Sequence, residues 1–383
     1  MTAESRPVVL AVEQLRRRVP GGIGRYAAGL LSGLREVDAP RVVLLASRPP
    51  GAGRDPLARW GYEVRASRLP SPLLTLAWDR GLLAAPRGAR AVQAVSLAFP
   101  RVRPTRRAGG PALVVTVHDL AWRTNPETTT GRGRRWHEAA LRRALGRADA
   151  FVVPSRPVAE ALLAAGVTAT NVRVIPHGAD HLPAPDHDGA TAVLRHLGVG
   201  EGYLLAAGTL EPRKNLPRLV EAYAAARPQL GGGLPLVVVG PSGWGDALGS
   251  ARSGAGGVGA GEGVLLAGAV DDGVLAALYA GARAFAYVPL VEGFGLPPVE
   301  AMACGTPVVT STAVPSTEPA PGAEAPALRV DAASVDDIAA ALVRVTGDDR
   351  TRAALVARGV ELAASLTWAR SAAAHIAWWE EHS

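Results

Sequence analysis

The chain alternates short apolar runs with amphipathic stretches over most of its length. In the first half, apolar runs of strand length lie at 8–12, 41–46, 111–117, 150–153 and 172–175. Stretches between them, such as 24–34 and 136–148, repeat apolar residues at helical spacing. Strands that alternate with helices favour a parallel sheet covered on both faces. The first half therefore predicts a doubly wound α/β domain.

The same pattern starts again after residues 176–190, a segment rich in proline, histidine and aspartate that predicts a linker. The second set of strand-length runs lies at 203–208, 235–240, 263–268, 284–288 and 307–311. A length of 383 residues also favours two domains. We predict two Rossmann-like domains, residues 1–185 and 186–368, whose strand carboxyl ends face a central cleft.

Two further segments have their own character. The glycine-rich stretch 249–263 predicts a loop. The segment from 366 to the end predicts a helix, and its Trp378 and Trp379 predict that this helix docks against other structure.

Composition narrows the class of protein. The single cysteine, Cys304, excludes a disulfide within the chain and fits a reducing cytoplasm. Charges at Glu13 and Arg16 interrupt the first apolar run, so no secretory leader is expected. No stretch of about 18 apolar residues predicts a membrane span.

The charges are distributed unevenly. Residues 1–150 hold 26 arginines and 11 acidic residues, a balance of +15, whereas residues 151–383 hold 15 basic and 23 acidic residues, a balance of −8. A basic first half predicts an anionic partner: nucleic acid, lipid headgroups or a phosphorylated substrate. The amphipathic basic segment 131–147 and the arginines of 101–107 would suit an anionic membrane surface, or an ordinary helix packed on the sheet.

Lys214 is the only lysine among 41 basic residues. Together with Arg213 it follows the strand that ends at Gly208 and precedes a helix predicted to start near Pro217. Phosphates bind at this place in open α/β folds, where strand carboxyl ends and helix N-termini meet. The pair therefore predicts a diphosphate site.

Two glutamates, Glu292 and Glu300, flank a Gly-Phe-Gly turn and two prolines. The prolines predict a short helix with Glu300 in its first turn. Backbone N–H groups of the turn and of the helix start would form an anion site. Two carboxylates alone would also suit a glycoside hydrolase, but the nearby basic pair favours a phosphorylated sugar donor.

The motifs together resemble the retaining GT-B glycosyltransferases of family 4, also called glycosyltransferase group 1, which include many mannosyltransferases. Seven segments follow the family's order along nearly the whole chain: 21–26, 115–122, 174–180, 208–216, 237–244, 292–309 and 366–373. The resemblance implies that the last helix, 369–383, returns to the first domain.

The resemblance also implies the roles of site residues. Arg213 and Lys214 would bind the donor diphosphate, Glu300 the ribose and Glu292 a hydroxyl of the transferred sugar. His118 would line the sugar site from the first domain. The remaining donor contacts would come from Gly22, Gly24, Gly293, Phe294 and Gly295.

The implied reaction moves a sugar, mannose or a deoxysugar, from a nucleotide-diphosphate to a glycan or lipid-linked glycan. The leaving phosphate would help to deprotonate the acceptor on the same face of the sugar. The resemblance implies neither a metal nor another cofactor, and no nucleic-acid partner. The enzyme would be cytoplasmic, with possible attachment to the inner face of the membrane.

Two departures from the family pattern concern substrate contacts. Val288 and Pro289 stand where the family often has proline and serine, and Gln93 stands where a histidine is frequent. Two alternatives stay open: a nucleotide-sugar epimerase and a basic nucleic-acid-binding protein. A non-catalytic scaffold is disfavoured, because the basic pair and both glutamates are intact. Asp186 and Asp188 could also suggest a metal-binding D-x-D pair, although they lie in a proline-rich linker.

Overall fold

The computed structural model describes residues 6–17, 21–49, 51, 55–230, 233–241, 243 and 262–383. The predicted glycine-rich loop lies outside this part of the chain up to residue 261. The chain forms two compact units: one comprises Met1–Gly178 with Thr367–Ser383, and the other Ala179–Leu366.

The first unit is built on a seven-stranded parallel sheet. Its strands are β1 (Val8–Ala11), β2 (Val42–Ala46), β3 (Glu63–Ala66), β4 (Ala91–Ala94), β5 (Ala112–Thr116), β6 (Ala150–Val153) and β7 (Val172–Val174). They are ordered β3-β2-β1-β4-β5-β6-β7, so the winding reverses between β1 and β4. Its helices are α1 (Gly21–Glu36), α2 (Ser71–Asp79), α3 (Ala121–Thr124), α4 (Gly131–Leu145) and α5 (Arg156–Ala164).

The second unit repeats this topology with six parallel strands. They are β8 (Leu204–Ala207), β9 (Leu236–Val239), β10 (Val264–Gly268), β11 (Ala284–Tyr287), β12 (Val308–Ser311) and β13 (Leu328–Val330), and their order is β10-β9-β8-β11-β12-β13. The winding reverses between β8 and β11. The helices are α6 (His187–His196), α7 (Leu216–Ala226), α8 (Asp272–Gly281), α9 (Leu296–Ala303), α10 (Val335–Gly347) and α11 (Asp349–Ser365).

The predicted doubly wound domains are confirmed, and every apolar run predicted as a strand is one. Each sheet is covered by an apolar core on both faces, as continuous apolar strands require. Three strands, β3, β4 and β13, were not predicted from apolar runs. Strand β3 is a largely exposed edge strand with the sequence Glu-Val-Arg-Ala, so it carries no apolar run.

The units divide after Gly178 and again after Leu366, whereas the sequence prediction placed the boundaries after residues 185 and 368. The difference has a local cause. The N–H of Ala179 donates to the carbonyl of Leu366 at 2.8 Å, and the N–H of Asp186 donates to the carbonyl of Gly273 at 2.9 Å. The linker is therefore hydrogen-bonded to the second unit. Its end is helical, and Asp186 accepts from the N–H of Gly189 as the N-cap of α6.

The last helix, α12 (Trp368–His382), packs against α1 in the first unit. Its three tryptophans, Trp368, Trp378 and Trp379, are all buried in one of the two cores of that unit. The predicted return of this helix to the first domain is confirmed. Among the described residues, no helix is long and apolar enough to cross a membrane.

A buried chain of hydrogen bonds ties α12 to the sheet and to α1. Trp379 Nε1 donates to Gln93 Oε1 at 2.9 Å, and Gln93 Nε2 donates to Thr116 Oγ1 at 2.6 Å. Thr116 Oγ1 lies 3.1 Å from the hydroxyl of Tyr26, which lies 2.8 Å from His375 Nε2. Gln93, at the position where the family often has histidine, thus holds the C-terminal helix.

The carbonyl of Ser371 sets the direction of this chain. It accepts from His375 Nδ1 at 2.7 Å, so Nδ1 carries the proton of the neutral ring and Nε2 is an acceptor. Tyr26 must then donate to His375, and Thr116 must donate to Tyr26. This direction holds while His375 is neutral, because a protonated ring would donate from Nε2 and the hydroxyls of Tyr26 and Thr116 would both have to turn round.

Acidification is expected to weaken the first unit through His375. Burial lowers the pKa of His375 to about 4, whereas a histidine in the unfolded chain has a pKa of about 6.5. As pH falls from about 7 to 4, the unfolded chain therefore binds a proton that the folded chain does not. The free energy of unfolding should fall by up to about 3 kcal/mol over this window and stay constant above it.

Urea unfolding at several pH values measures this slope. His375→Gln removes the titrating ring but retains an acceptor for Tyr26, so the variant should lose this part of the pH dependence. Identical slopes for the variant and the wild type would contradict the assignment.

Candidate active site

Arg213 and Lys214 lie on a short 3-10 helix, Pro212–Lys214, between β8 and α7. The next residue, Asn215, adopts a left-handed conformation with φ 59°, which is uncommon for a residue with a side chain. Its amide holds this geometry by donating to the carbonyls of Val288 at 3.0 Å and Ala332 at 2.8 Å. The basic pair is thereby fixed at the carboxyl end of β8, as predicted.

The loop that carries Glu292 follows β11, which pairs directly with β8. The two loops therefore meet where the winding of the sheet reverses, the usual ligand position in such folds. The N–H of Leu290 donates to the carbonyl of Arg213 at 2.9 Å and joins the loops through the backbone. The structure thus brings together Arg213, Lys214 and Glu292.

These side chains form one compact polar cluster with Tyr287. Lys214 Nζ donates to Glu292 Oε1 at 2.5 Å and to the Tyr287 hydroxyl at 2.6 Å. The Tyr287 hydroxyl in turn donates to Glu292 Oε1 at 2.5 Å. Arg213 pairs with Glu292 Oε2 at 3.0 Å and with Glu211 at 2.8 Å. Each oxygen of Glu292 therefore faces one cation.

The cluster is largely buried, and this sets its charges. Burial alone would raise the pKa of Glu292, but the positive charges of Arg213 and Lys214 lower it to about 2. Burial lowers the pKa of Lys214, and the carboxylate of Glu292 offsets part of that effect. Burial and the charge of Glu292 both raise the pKa of Tyr287, so its hydroxyl stays a neutral donor.

This arrangement can bind an anion and release it. An ammonium has three N–H donors, and Tyr287 and Glu292 engage two of them. The third donor and the guanidinium fork of Arg213 are suited to phosphate oxygens. Because Glu292 balances both cations, an anion at this position would compete with it and would leave the carboxylate able to accept from a hydroxyl.

Glu300 belongs to a second hydrogen-bonded group. It is the fifth residue of α9 and lies just past the first turn. The sequence predicted a place within that turn. His181 Nε2 lies 2.9 Å from Glu300 Oε1, and the Tyr279 hydroxyl donates to Oε2 at 3.2 Å. These two partners orient both oxygens. A carboxylate held in this way can still accept from a pair of hydroxyls such as a ribose diol.

The Gly-Phe-Gly turn between the glutamates is tightly packed. Phe294 is buried in a core of the second unit, so its side chain is structural. Gly295 has φ 96°, and a Cβ there would lie 2.4 Å from Val314 Cγ1. Ser316 fixes the turn by donating from its hydroxyl to the carbonyl of Gly295 at 2.8 Å. The predicted phosphate contacts of Gly293 and its neighbours would come from the backbone.

His118 follows β5 in the first unit, and its ring nitrogens have distinct roles. Nε2 lies 2.8 Å from the carbonyl of Val95 and therefore donates to it, which leaves Nδ1 as the acceptor of the neutral ring. Burial lowers the pKa of His118, so the ring is neutral at pH 7. Tyr26 packs edge-on against it, with ring centroids 4.8 Å apart. The ring is thus oriented to accept from a hydroxyl.

Gly22 and Gly24 both lie in the first turn of helix α1, which begins at Gly21. The predicted helical stretch started at residue 24, so the helix begins three residues earlier than expected. A Cβ at Gly22 would meet no described atom within 4 Å. Packing within the described part of the protein therefore does not demand a glycine at this position. The helix start offers N–H groups that an anion can accept from.

The sequence did not predict two residues that contact the site glutamates, Tyr287 and His181. Tyr287 ends a buried strand, and its apolar neighbours made it indistinguishable from a core residue. His181 stands in the linker, three residues after Gly178. It directly follows the family-like segment 174–180, and that position was the only hint in the sequence that His181 lies near the site.

Comparisons with known proteins agree with this architecture. Residues 20–181 match the model of Glycosyltransferase Family 4, and residues 196–361 match that of Glycosyl transferases group 1. The O-antigen chain mannosyltransferase B of Escherichia coli is 31% identical over 269 residues, which cover 67% of this chain and 66% of that protein. The MMP alpha-(1->4)-mannosyltransferase of Mycolicibacterium hassiacum is 29% identical over 283 residues, 70% of this chain and 65% of that protein.

These matches span about two thirds of the length of both relatives. Solved structures support the fold over the whole chain. The structure of Anabaena HepE in complex with UDP and glucose aligns with a TM-score of 0.72 at 19% identity. The alignment covers 98% of this chain and 100% of the HepE chain. Sucrose-phosphate synthase from Thermosynechococcus elongatus has a TM-score of 0.71 at 20% identity, with 98% of each chain covered. The chain therefore belongs to the group 1 and family 4 glycosyltransferases and has the GT-B fold, with two Rossmann-like units.

Proposed function

We propose that this chain transfers mannose from a nucleotide-diphosphate donor to a glycan or lipid-linked glycan, with retention of anomeric configuration and without a metal. The observation that carries the proposal is the cluster of Arg213 and Lys214 with Glu292 at the point where the second sheet reverses its winding. Two relatives whose names specify mannosyl transfer support the choice of sugar.

The reaction assigns a task to each group. The bond between the anomeric carbon and the donor phosphate breaks, and a bond from the acceptor oxygen to that carbon forms on the same face. The acceptor proton passes to an oxygen of the leaving diphosphate. Arg213 and Lys214 stabilise the charge that grows on this diphosphate, the role that a bound cation would otherwise perform.

The other residues orient the donor. Glu292, released from its cations, accepts from a hydroxyl of the sugar, and Glu300 accepts from the ribose. His118 Nδ1 accepts from another sugar hydroxyl. Gly22, Gly24 and the Gly293–Gly295 backbone supply N–H donors. In the cell, the protein would act on the cytoplasmic side, where nucleotide sugars are made.

Product analysis with a nucleotide sugar and a mannoside acceptor tests the proposal. We expect release of the nucleoside diphosphate and an α-linked product by proton NMR, with GDP-mannose as the donor and with EDTA present. A β-linked product would contradict retention, and loss of activity in EDTA would contradict metal independence. An altered nucleotide sugar without acceptor would favour an epimerase.

A further inference from the structure

Glu300 is a nearly buried carboxylate that donors from two parts of the second unit hold. Its side chain is 3% exposed. His181 Nε2 lies 2.9 Å from Glu300 Oε1, and because a carboxylate only accepts, Nε2 must carry the N–H of the imidazole. The Tyr279 hydroxyl donates to Oε2 at 3.2 Å. One donor on each oxygen fixes the rotation of the carboxylate plane.

The two donors are held in different ways. Tyr279 belongs to α8 and is fully buried, so its hydroxyl is placed by a core of the second unit. His181 stands in the linker, and its side chain is 10% exposed. The N–H groups of Ala179 and Asp186 bind the linker to the second unit before and after this residue. The imidazole is thus brought to Glu300 by the backbone on either side of it.

One connection of the second unit carries both this carboxylate and the anion cluster. Glu292 lies in the loop between β11 and α9, and Glu300 lies on α9 itself. Lys214 donates to Glu292 at the start of this connection. A nucleoside diphosphate carries its ribose directly beside its phosphates, so a single ligand is suited to engage both glutamates.

A hydroxyl at Glu300 would meet a carboxylate that is already oriented. A carboxylate oxygen accepts more than one hydrogen bond, so the oxygen that accepts from His181 can also accept from a ligand. A hydrogen bond to a charged group contributes more than one between neutral groups. Orientation before binding adds to that contribution, because the side chain need not be ordered when the ligand arrives. The adjacent 2′- and 3′-hydroxyls of a ribose match the two oxygens of such a group.

We propose that His181 is a positioning residue through which Glu300 selects ribonucleotide donors over 2′-deoxyribonucleotide donors. The inference rests on the proposed function, in which Glu300 accepts from the ribose of the donor. A 2′-deoxyribose lacks one of the two hydroxyls and leaves a nearly buried carboxylate oxygen without that partner, which is costly. The donor is therefore a ribonucleoside diphosphate sugar. Thymidine diphosphate sugars, which contain 2′-deoxyribose, are disfavoured.

Calorimetric titration of the full chain with matched nucleotides tests the inference. The probes are GDP, UDP and ADP, each compared with its 2′-deoxy counterpart. The wild type should bind one ribonucleotide about tenfold or more tightly than its 2′-deoxy form. His181→Ala should reduce this preference at least about threefold, because it weakens binding of the ribonucleotide and leaves that of the 2′-deoxy form nearly unchanged. His181→Gln retains an N–H donor of similar reach and should keep the preference of the wild type.

Two further variants separate positioning from a general effect on the fold. Tyr279→Phe removes the donor on the other oxygen and should also reduce the preference. His196→Ala removes an exposed histidine of α6, so both affinities should stay within about twofold of the wild type. Equal weakening of the two nucleotide forms in His181→Ala would mean that the residue is merely structural, and it would overturn the inference.

Failure of the proposed function would give a different result. If no nucleotide binds the wild type, the donor site itself is wrong. If the wild type binds both forms equally, Glu300 does not accept from the 2′-hydroxyl, and the inference falls with that role. A wild type that prefers the ribonucleotide, together with His181→Ala that keeps the full preference, would overturn only the role of His181.

Discussion

Replacing Lys214 with methionine is expected to lower kcat/KM for the nucleotide sugar by about 10²–10³-fold. Lys214 is held by Tyr287 and Glu292 at the point where the leaving diphosphate would develop charge. The loss of one preorganised donor to a developing anion typically reduces the rate by about this factor. Methionine has a similar length and an apolar character, so it fills the space without the charge.

Steady-state kinetics of the full chain measures the effect, and two further variants calibrate it. Arg195→Met removes an exposed cation of α6 and should change kcat/KM by less than about twofold. Tyr287→Phe removes only the hydroxyl that bridges Lys214 and Glu292, so we expect a loss of about tenfold. It should also move the acidic limb of the pH profile upward, because a hydrogen bond that lowers the pKa of Glu292 is gone. An unchanged kcat/KM in Lys214→Met would contradict the assignment.

Gly29→Ala is expected to destabilise the first unit by about 3 kcal/mol, the upper part of the usual range for overpacking. A Cβ on Gly29 would lie 2.0 Å from Trp368 Cε2, and Trp368 is only 1% exposed. The backbone of Trp368 is also closely packed. A Cβ on Gly33 would lie 2.1 Å from the Trp368 carbonyl oxygen, and one on Gly178 would lie 2.4 Å from its backbone nitrogen. The alanine can therefore be accommodated only if α12 moves away from α1.

Urea denaturation followed by circular dichroism tests this prediction, with Gly22→Ala as the control on the same helix. No described atom lies within 4 Å of a Cβ at Gly22. Alanine in a helix is favoured over glycine by up to about 1 kcal/mol, so this change should be neutral or stabilising. A neutral Gly29→Ala would mean that α12 is not closely packed on α1.

The sequence predicted the fold through its buried strands. Strands β1 and β8 lie in the middle of their sheets and read as continuous apolar runs because both faces are covered. Edge strands lack that signal, which is why β3, with its charged Glu63 and Arg65, escaped the pattern. The domain boundary was displaced because proline and histidine in the linker indicated an irregular backbone but not the unit to which it is hydrogen-bonded.

The site was predictable as far as its charged residues. Arg213, Lys214 and Glu292 stand in recognisable motifs, and β8 and β11 bring those motifs together. The contacts of Tyr287 with Lys214 and Glu292 depend on the pairing of β8 with β11. No local sequence pattern reveals that pairing. Proline stands at position 289, where the family often has serine. The backbone there is held instead from the neighbouring strand, because the hydroxyl of Ser311 donates to the carbonyl of Pro289 at 2.7 Å. Gln93 likewise acquires its role only from Trp379, far along the chain.

Calorimetric titration of GDP, UDP, dTDP and ADP into the wild type and Lys214→Met tests the central claim most directly. We expect one nucleoside diphosphate to bind the wild type and to stabilise it by about 2.7 kcal/mol at 100 times its dissociation constant. The variant should bind this nucleotide at least about tenfold more weakly, because a charge-assisted contact to the diphosphate is lost. Equal affinity in both proteins would contradict the claim that Lys214 and its cluster hold the donor diphosphate.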